Sequence, residues 1–154
     1  MADTKRGAFT KESRDLLSAE ERAAMQATLR ERRRAAKLTP EEALAAGEAD
    51  VQAAIAALPE DDRAMAARVH ALVKAAAPDL VPRTFYGMPA YARDGKVVCF
   101  FQGKAKFKVR YSTLGFQPDA RLDDEDMWPV AFALTRLTPA TEGRIAELVR
   151  KAAG

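Results

Sequence analysis

One short aromatic segment of the sequence has the residue types of a small binding site. Tyr86-Gly87-Met88-Pro89-Ala90-Tyr91 offers two hydroxyl groups that could orient a polar ligand and a methionine whose flexible side chain adapts to a ligand's shape. The same residues would also suit a kinked strand whose aromatic rings pack in the core. A pocket wall and a core strand both remain open, and core packing is the commoner fate of aromatic residues at strand spacing.

Four cations at alternate positions follow the aromatic segment. They are Lys104, Lys106, Lys108 and Arg110, and the residues between and after them are Ala105, Phe107, Val109 and Tyr111. This alternation predicts a strand over 105–111 with one cationic face and one apolar face. The cationic face could bind a phosphate or another small anion, or it could simply keep an exposed sheet surface soluble.

The two segments together define the first candidate site, which would take a small anionic ligand. Its residues are Tyr86, Met88, Tyr91, Lys106, Lys108 and Arg110. We expect a concave surface that contains the three aromatic-segment residues and at least one of the cations. Nucleic acid is disfavoured as a partner, because the aromatic residues of the predicted strand lie on the face opposite its cations.

A run of four acidic residues is the second candidate site. Asp123, Asp124, Glu125 and Asp126 could bind a hard cation through carboxylate oxygens. The run lacks the alternating ligand spacing and the turn glycine of a calcium loop, so a solvated loop is the alternative.

Catalytic chemistry has little support in the sequence. The chain contains one histidine, His70, and one cysteine, Cys99. A Cys-His pair is possible by count alone, but Cys99 lies within a predicted apolar strand, where an inert buried thiol is expected. His70 has no nearby Cys or His partner that would complete a zinc site. We therefore name no catalytic residue and favour a binding role over an enzyme of unknown reaction.

The composition is that of a globular protein with a mild charge. The 154 residues are 48% apolar and carry a net charge of +3, which neither requires nor excludes a polyanionic partner. A single cysteine cannot form an internal disulfide and fits a reducing compartment. The charged start of the chain predicts no secretory signal, and no apolar stretch is long enough to span a membrane. We expect a cytoplasmic protein without a membrane partner, and the oligomeric state is left open.

The elements that must position these residues divide the chain in two. Residues 1–46 are rich in Arg, Glu and Ala, and only Leu17, Met25 and Leu29 provide large apolar groups at helical spacing. This pattern predicts a helical, partly mobile extension, with a capping box from Ser18 to Glu21 and a short second helix that begins at Pro40. The folded domain is predicted over 47–154.

The second part of the sequence predicts helices, then an antiparallel meander, then a final helix. Helices are expected from Asp50 to Leu58 and from Glu60 to about Ala77. Strands are expected over 84–92, with an interruption at Gly87-Met88-Pro89, and over 96–102, 105–111 and 130–134. Asp94-Gly95 is a hairpin turn, and the strand over 96–102 is apolar on both faces and so central in the sheet. Thr138-Pro139 begins the last helix, on which Ile145, Leu148 and Val149 are predicted to face the core. The fold class is α+β.

From about Ala49 to Lys151 the chain resembles the YdhG-like family of bacterial domains of unknown function. The similar pieces are the helices that end at Ala77-Pro78, the Tyr86–Tyr91 segment, the hairpin leading into Val97–Phe101, and Phe132–Thr138 before the last helix. The resemblance implies a compact α+β domain. Some members are described as frataxin-like iron chaperones, which hold iron at exposed acidic surfaces. The resemblance therefore implies iron binding or delivery as one function and iron as a possible cofactor. The alternative, which the first candidate site suggests, is a small-anion-binding module.

Overall fold

A computed structural model describes residues 18–154, which form four helices and five strands. The elements in chain order are α1 (Ala19–Ala35), α2 (Pro40–Ala56), α3 (Glu60–Ala76), β1 (Val81–Phe85), β2 (Met88–Arg93), β3 (Lys96–Gln102), β4 (Ser112–Phe116), β5 (Ala131–Leu134) and α4 (Pro139–Ala153). Leu17, part of the apolar stripe predicted for the extension, lies outside the described residues. No helix within residues 18–154 is long and apolar enough to cross a membrane.

The five strands form one antiparallel sheet in the order β1-β2-β3-β4-β5. This meander between two groups of helices confirms the predicted α+β class. The Asp94-Gly95 turn is also confirmed, since both residues have positive φ angles, 51° and 77°, as a type I′ turn requires. The apolar strand β3 is central, as its two apolar faces predicted.

The core lies between one face of the sheet and helices α2, α3 and α4. Tyr91, Phe101 and Leu114 come from three adjacent strands and are fully buried with Val51 and Val73 of the helices. The closing helix contributes Ile145 and Val149, as predicted. Cys99 is buried in this core, and burial raises the pKa of its thiol to about 12, so it is the inert thiol that its position in the strand predicted.

Helix α2 is one continuous helix where the sequence predicted two separate ones. It begins with a full capping box, in which Thr39 and Glu42 bond to each other's backbone N–H groups, and it continues to Ala56. The predicted boundary between residues 46 and 47 therefore lies inside this helix. Gly47 faces β1 so closely that an added Cβ would lie 2.0 Å from the carbonyl oxygen of Pro82. The alanine-rich sequence favours an uninterrupted helix, and Gly47 allows this helix to pack closely on β1.

The predicted strand over 84–92 is in fact a hairpin of two strands. Its turn is Tyr86-Gly87, with φ angles of 52° and 77°, and Phe85 pairs with Met88 across it. Pro89 lies at the second position of β2, and the ladder with β3 begins one residue later, at Ala90. Since proline has no N–H to donate, its place before the start of that ladder leaves no hydrogen bond unmade.

The prediction of a strand over 105–111 is wrong. This segment is a series of turns, with hydrogen bonds from Lys106 N to Gly103 O and from Val109 N to Lys104 O, and Lys108 has a φ of 54°. The buried carboxylate of Asp62 accepts a hydrogen bond of 3.0 Å from Ala105 N and holds the start of the loop against α3. This long-range anchor overrides the local alternation, so no cationic strand face exists here.

The close packing of α2 on β1 can be tested by substitution. We expect Gly47→Ala to lower the free energy of unfolding by roughly 1–3 kcal/mol, the usual cost of forcing an extra methyl group into a tight contact. Gly143→Ala in α4 is the matched control, because no atom lies within 4 Å of its added Cβ. That control should be neutral or stabilising by up to about 1 kcal/mol. Urea unfolding of the two variants measures both values, and equal stabilities would contradict the contact.

Candidate functional site

The structure does not place the aromatic-segment residues on one wall. Tyr91 is 1% exposed and faces the helices, whereas Met88, three residues earlier on β2, points to the opposite face of the sheet. Tyr86 lies in the turn before β2, where its ring packs edge-on against Phe85 at 4.5 Å between centroids. Two of the three residues are therefore separated by the sheet itself.

The three predicted cations also point to different places. Lys106 is half-buried near the Tyr86-Gly87 turn, with its Nζ atom 3.3 Å from where a Cβ of Gly87 would lie. Burial lowers the pKa of Lys106, and the nearby charge of Glu31 opposes this shift. Lys108 pairs with Glu20 at 3.2 Å, and Arg110 lies over the ring of Tyr111. Only Lys106 joins the aromatic segment.

The acidic run forms an exposed turn after β4. Asp123, Asp124, Glu125 and Asp126 are all exposed, and Met127 N bonds to Asp124 O at 3.4 Å. In the part of the chain that the structure describes, no three His, Cys, Asp or Glu side chains are arranged to hold a metal ion. The run thus has suitable ligand atoms but no converging geometry.

A buried polar network links three elements and was missed by the sequence analysis. The imidazole of His70 in α3 bonds through Nδ1 to the Tyr91 hydroxyl at 2.8 Å and through Nε2 to Glu48 Oε1 in α2 at 3.0 Å. Gln52 and Lys74 bond to the same Glu48 oxygen, at 3.3 and 3.2 Å. His70 lies four residues after the buried Ala66 and three before the buried Val73. Its position on the buried stripe of α3 was the available signal, but its partners are distant in sequence.

The network is built for packing rather than for acid–base catalysis. An imidazole that donates from Nε2 to Glu48 Oε1 and accepts at Nδ1 from the Tyr91 hydroxyl gives the polar atoms of His70 and Tyr91 their partners. The second oxygen of Glu48, Oε2, is buried and has no hydrogen-bond partner among the described residues. Burial raises the pKa of the Tyr91 hydroxyl far above its usual value, and the ring is closed off from solvent. A substrate has no access to the hydroxyl, so the network joins α2, α3 and β2 as a structural contact.

An open cavity lies between the end of α1, helix α2 and the β1 edge of the sheet. It encloses about 380 Å³. Its apolar lining is formed by Leu38, Pro40, Ala43, Ala46, Val81, Pro82 and Ala92. Charged groups from both helices and from the hairpins also reach it, namely Glu31, Arg34, Asp50, Arg83 and Asp94. A volume of this size with a mostly apolar lining and polar groups at defined places is typical of a small-molecule site.

A second cavity of about 300 Å³ continues the first one along α1. Both cavities are lined by Glu31, Arg34, Asp50 and Thr84. The guanidinium of Arg34 and the carboxylate of Asp50 pair at 2.7 Å between them. We call the two cavities together the α1 cleft, with the Arg34–Asp50 pair at its waist.

Helix α1 is held over the sheet by the turn of the aromatic segment. Thr28 Oγ1 accepts a hydrogen bond of 3.0 Å from Tyr86 N, and a Glu31 carboxylate oxygen accepts one of 3.3 Å from Gly87 N. The helix buries Ala24 and Thr28, whereas Leu29 of the predicted apolar stripe is exposed. The buried residues of α1 are small, so the stripe of large apolar residues in the sequence did not indicate its packed face.

The comparisons with known proteins found no relative of this chain. No protein-family model matches it, and no significant match was found among curated proteins or among solved structures. The resemblance to the YdhG-like family therefore stays a prediction.

Removing the Tyr91 hydroxyl tests the buried network. We expect Tyr91→Phe to lower the free energy of unfolding by about 1–3 kcal/mol, because His70 Nδ1 loses its partner inside the core. Tyr111→Phe, at a half-buried position beside Arg110, is the control and should change stability by less than about 0.5 kcal/mol. Urea unfolding compares the two variants. A Tyr91→Phe protein as stable as the native one would contradict a buried hydrogen bond at this position.

The ionisation of Glu48 should make stability depend on acid pH. Burial alone raises the pKa of Glu48, but hydrogen bonds from His70, Gln52 and Lys74 outweigh it and lower the pKa below the usual value. A lowered folded-state pKa stabilises the protein above the unfolded-state pKa, and this contribution is lost as the pH falls through the folded-state pKa. We expect Glu48→Gln to reduce the loss of melting temperature between neutral and acid pH. Glu147→Gln, on the exposed face of α4, should leave the pH dependence as in the native protein.

Proposed function

We propose that this protein is a binding domain for a small molecule that combines an apolar body with a single anionic group. The observation that carries the proposal is the α1 cleft, where an apolar cavity of about 380 Å³ ends at the Arg34 guanidinium. Apolar ligand surface would be removed from water against the alanines and prolines of the lining. The anionic group would lie at the waist.

Arg34 is suited to exchange its partner for a ligand. Its side chain is 57% exposed and its bond to Asp50 is a single contact near solvent, so the pair itself adds little stability. A planar guanidinium can hold a carboxylate or phosphate through two parallel hydrogen bonds. Arg83 also lines the cavity, and it donates to the carbonyl oxygen of Gly95 at 3.1 Å.

The charges around the cleft favour one anionic group over a polyanion. Glu31, Asp50 and Asp94 line the same cavity as the two arginines. A nucleic-acid backbone would place several phosphates against these carboxylates, which would repel them. A ligand with a single carboxylate or phosphate needs only one guanidinium and can leave the acidic groups in water.

Iron binding by Asp123–Asp126 is the weaker proposal. Those four side chains are exposed in one turn, and within residues 18–154 no three acidic, His or Cys side chains are arranged to hold a metal ion. An enzymatic role is weaker still, because the one buried histidine is occupied by Tyr91 and Glu48.

Titration with straight-chain carboxylates tests the proposal. We expect hexanoate and octanoate to shift the amide NMR signals of Gly47 and Gly95, which line the cleft. The matched alcohols and amines should bind more weakly, since they lack the anionic group. Arg34→Met should weaken carboxylate binding about tenfold or more, because a hydrogen bond to a charged group contributes about 1.5–3 kcal/mol. The weak binding of the alcohols should be unchanged.

Arg33→Met is the matched control for that variant. Arg33 immediately precedes Arg34 on α1 and is exposed, but it does not line the cleft. The Arg33→Met substitution removes the same charge from the same helix as Arg34→Met does. A general electrostatic effect would therefore weaken carboxylate binding equally in both variants. Equal weakening, or the absence of any shift with every carboxylate tested, would overturn the proposed site.

A further inference from the structure

The outer edge of β5 presents free backbone hydrogen-bonding groups. Phe116 N donates to Val130 O at 2.8 Å, so Phe116 and Val130 form a hydrogen-bonded pair next to the β4–β5 ladder. Hydrogen-bonded and non-hydrogen-bonded pairs alternate along an antiparallel ladder. Phe132 and Leu134 therefore bond to β4, and the N–H and C=O groups of Ala131 and Ala133 point outward. Among the described residues, β5 pairs with β4 alone.

The opposite edge of the sheet is protected. By the same alternation, the outward positions of β1 are Pro82 and Thr84. Pro82 has no N–H group, and its carbonyl oxygen contacts Gly47 of α2. The next outward N–H along the chain, that of Tyr86, is bonded to Thr28 of α1. This edge is thus protected from pairing by Pro82, by the charge of Arg83 and by helices α1 and α2, which cover it.

The β5 edge has almost none of these protections. Its four residues, Ala-Phe-Ala-Leu, include no charge and no proline, and only the shortness of the strand limits pairing. Ala131 and Ala133 are both exposed. Two large apolar side chains lie just before the strand with high exposure, Met127 at 86% and Val130 at 50%. An apolar, uncharged edge of this kind is a template for another strand.

We propose that the partner at this edge is the β5 strand of a second copy of the chain, paired antiparallel about a two-fold axis. The outward groups of Ala131 would bond to those of the partner subunit's Ala133, and the reverse pair would form symmetrically. Phe132 would lie opposite its own copy at the axis. Each copy has a five-stranded sheet, so the pairing produces one continuous sheet of ten strands, and the contact is self-complementary as two-fold symmetry requires.

Charge on the two sides of β5 favours a second copy over an unrelated strand. The acidic run Asp123–Asp126 precedes the strand, and the exposed Arg136 follows it by two residues. Antiparallel pairing sets the beginning of one β5 beside the end of the other. The acidic run of each copy would then lie near Arg136 of the other, and two symmetry-related attractions would form. The acidic run, unexplained as a metal site, acquires a role in this contact.

Charge-reversal variants test both the contact and its register in the full chain. We expect the native protein to sediment as a dimer of twice the chain mass. Ala131→Lys with Ala133→Lys would place lysines directly opposite each other and should give a monomer with a cooperative melt. Ala131→Glu with Ala133→Lys would instead place opposite charges together across the axis. This second variant differs from the first at one position and should restore the dimer.

A measurement on the native protein keeps the test independent of the variants' folding. The amide protons of Ala131 and Ala133 should exchange with solvent more slowly as protein concentration rises, whereas the exposed turn amide of Gly95 should not change. A native protein that sediments as a monomer at every concentration would overturn the proposal. So would a dimer that the double-lysine variant leaves intact, or exchange at Ala131 and Ala133 that is independent of concentration.

Discussion

The hydrogen bonds of His70 fix the relative positions of the helices and the sheet. One imidazole joins α3 to the Tyr91 hydroxyl of β2 and to the Glu48 carboxylate of α2. Glu48 follows Gly47 directly, and Gly47 is the residue that lets α2 approach the carbonyl oxygen of Pro82 on β1. The hydrogen bond from His70 to Glu48 and the close contact of Gly47 with Pro82 are thus made by adjacent residues of α2. Both depend on the same placement of α2.

That placement decides where open space remains. With α2 set against β1, helix α1 lies across the end of the sheet, held by hydrogen bonds from the Tyr86-Gly87 turn to Thr28 and Glu31. The small residues on the packed face of α1 allow contact near this turn but do not fill the space toward Leu38 and Pro40. The α1 cleft is the unfilled region, and its charged waist comes from side chains that the two helices bring together.

The placement of the helices also makes the two edges of the sheet differ in how far their backbone groups are covered. Helices α1 and α2 cover β1, so that edge needs no partner, whereas the described residues leave the outward groups of β5 unpaired. The proposed ligand cleft and the proposed dimer contact therefore lie at opposite edges of one sheet. A dimer through β5 would leave both clefts open at the far ends, so ligand binding and dimer formation can be measured separately.

The sequence by itself determined the elements with strong local signals. Capping residues, the Asp94-Gly95 turn, the doubly apolar β3 and the stripe of α4 are each specified by neighbouring residues, and together they were sufficient for the α+β class. Only the tertiary structure decided the rest. The alternation over 105–111 predicted a strand, but the distant Asp62 carboxylate holds that segment as a loop. The buried face of α1 is made of small side chains that carry little hydrophobic signal. The His70 network and the Arg34–Asp50 waist join residues from separate elements. These contacts depend on how the elements pack against one another, and the residue pattern within one element does not predict that packing.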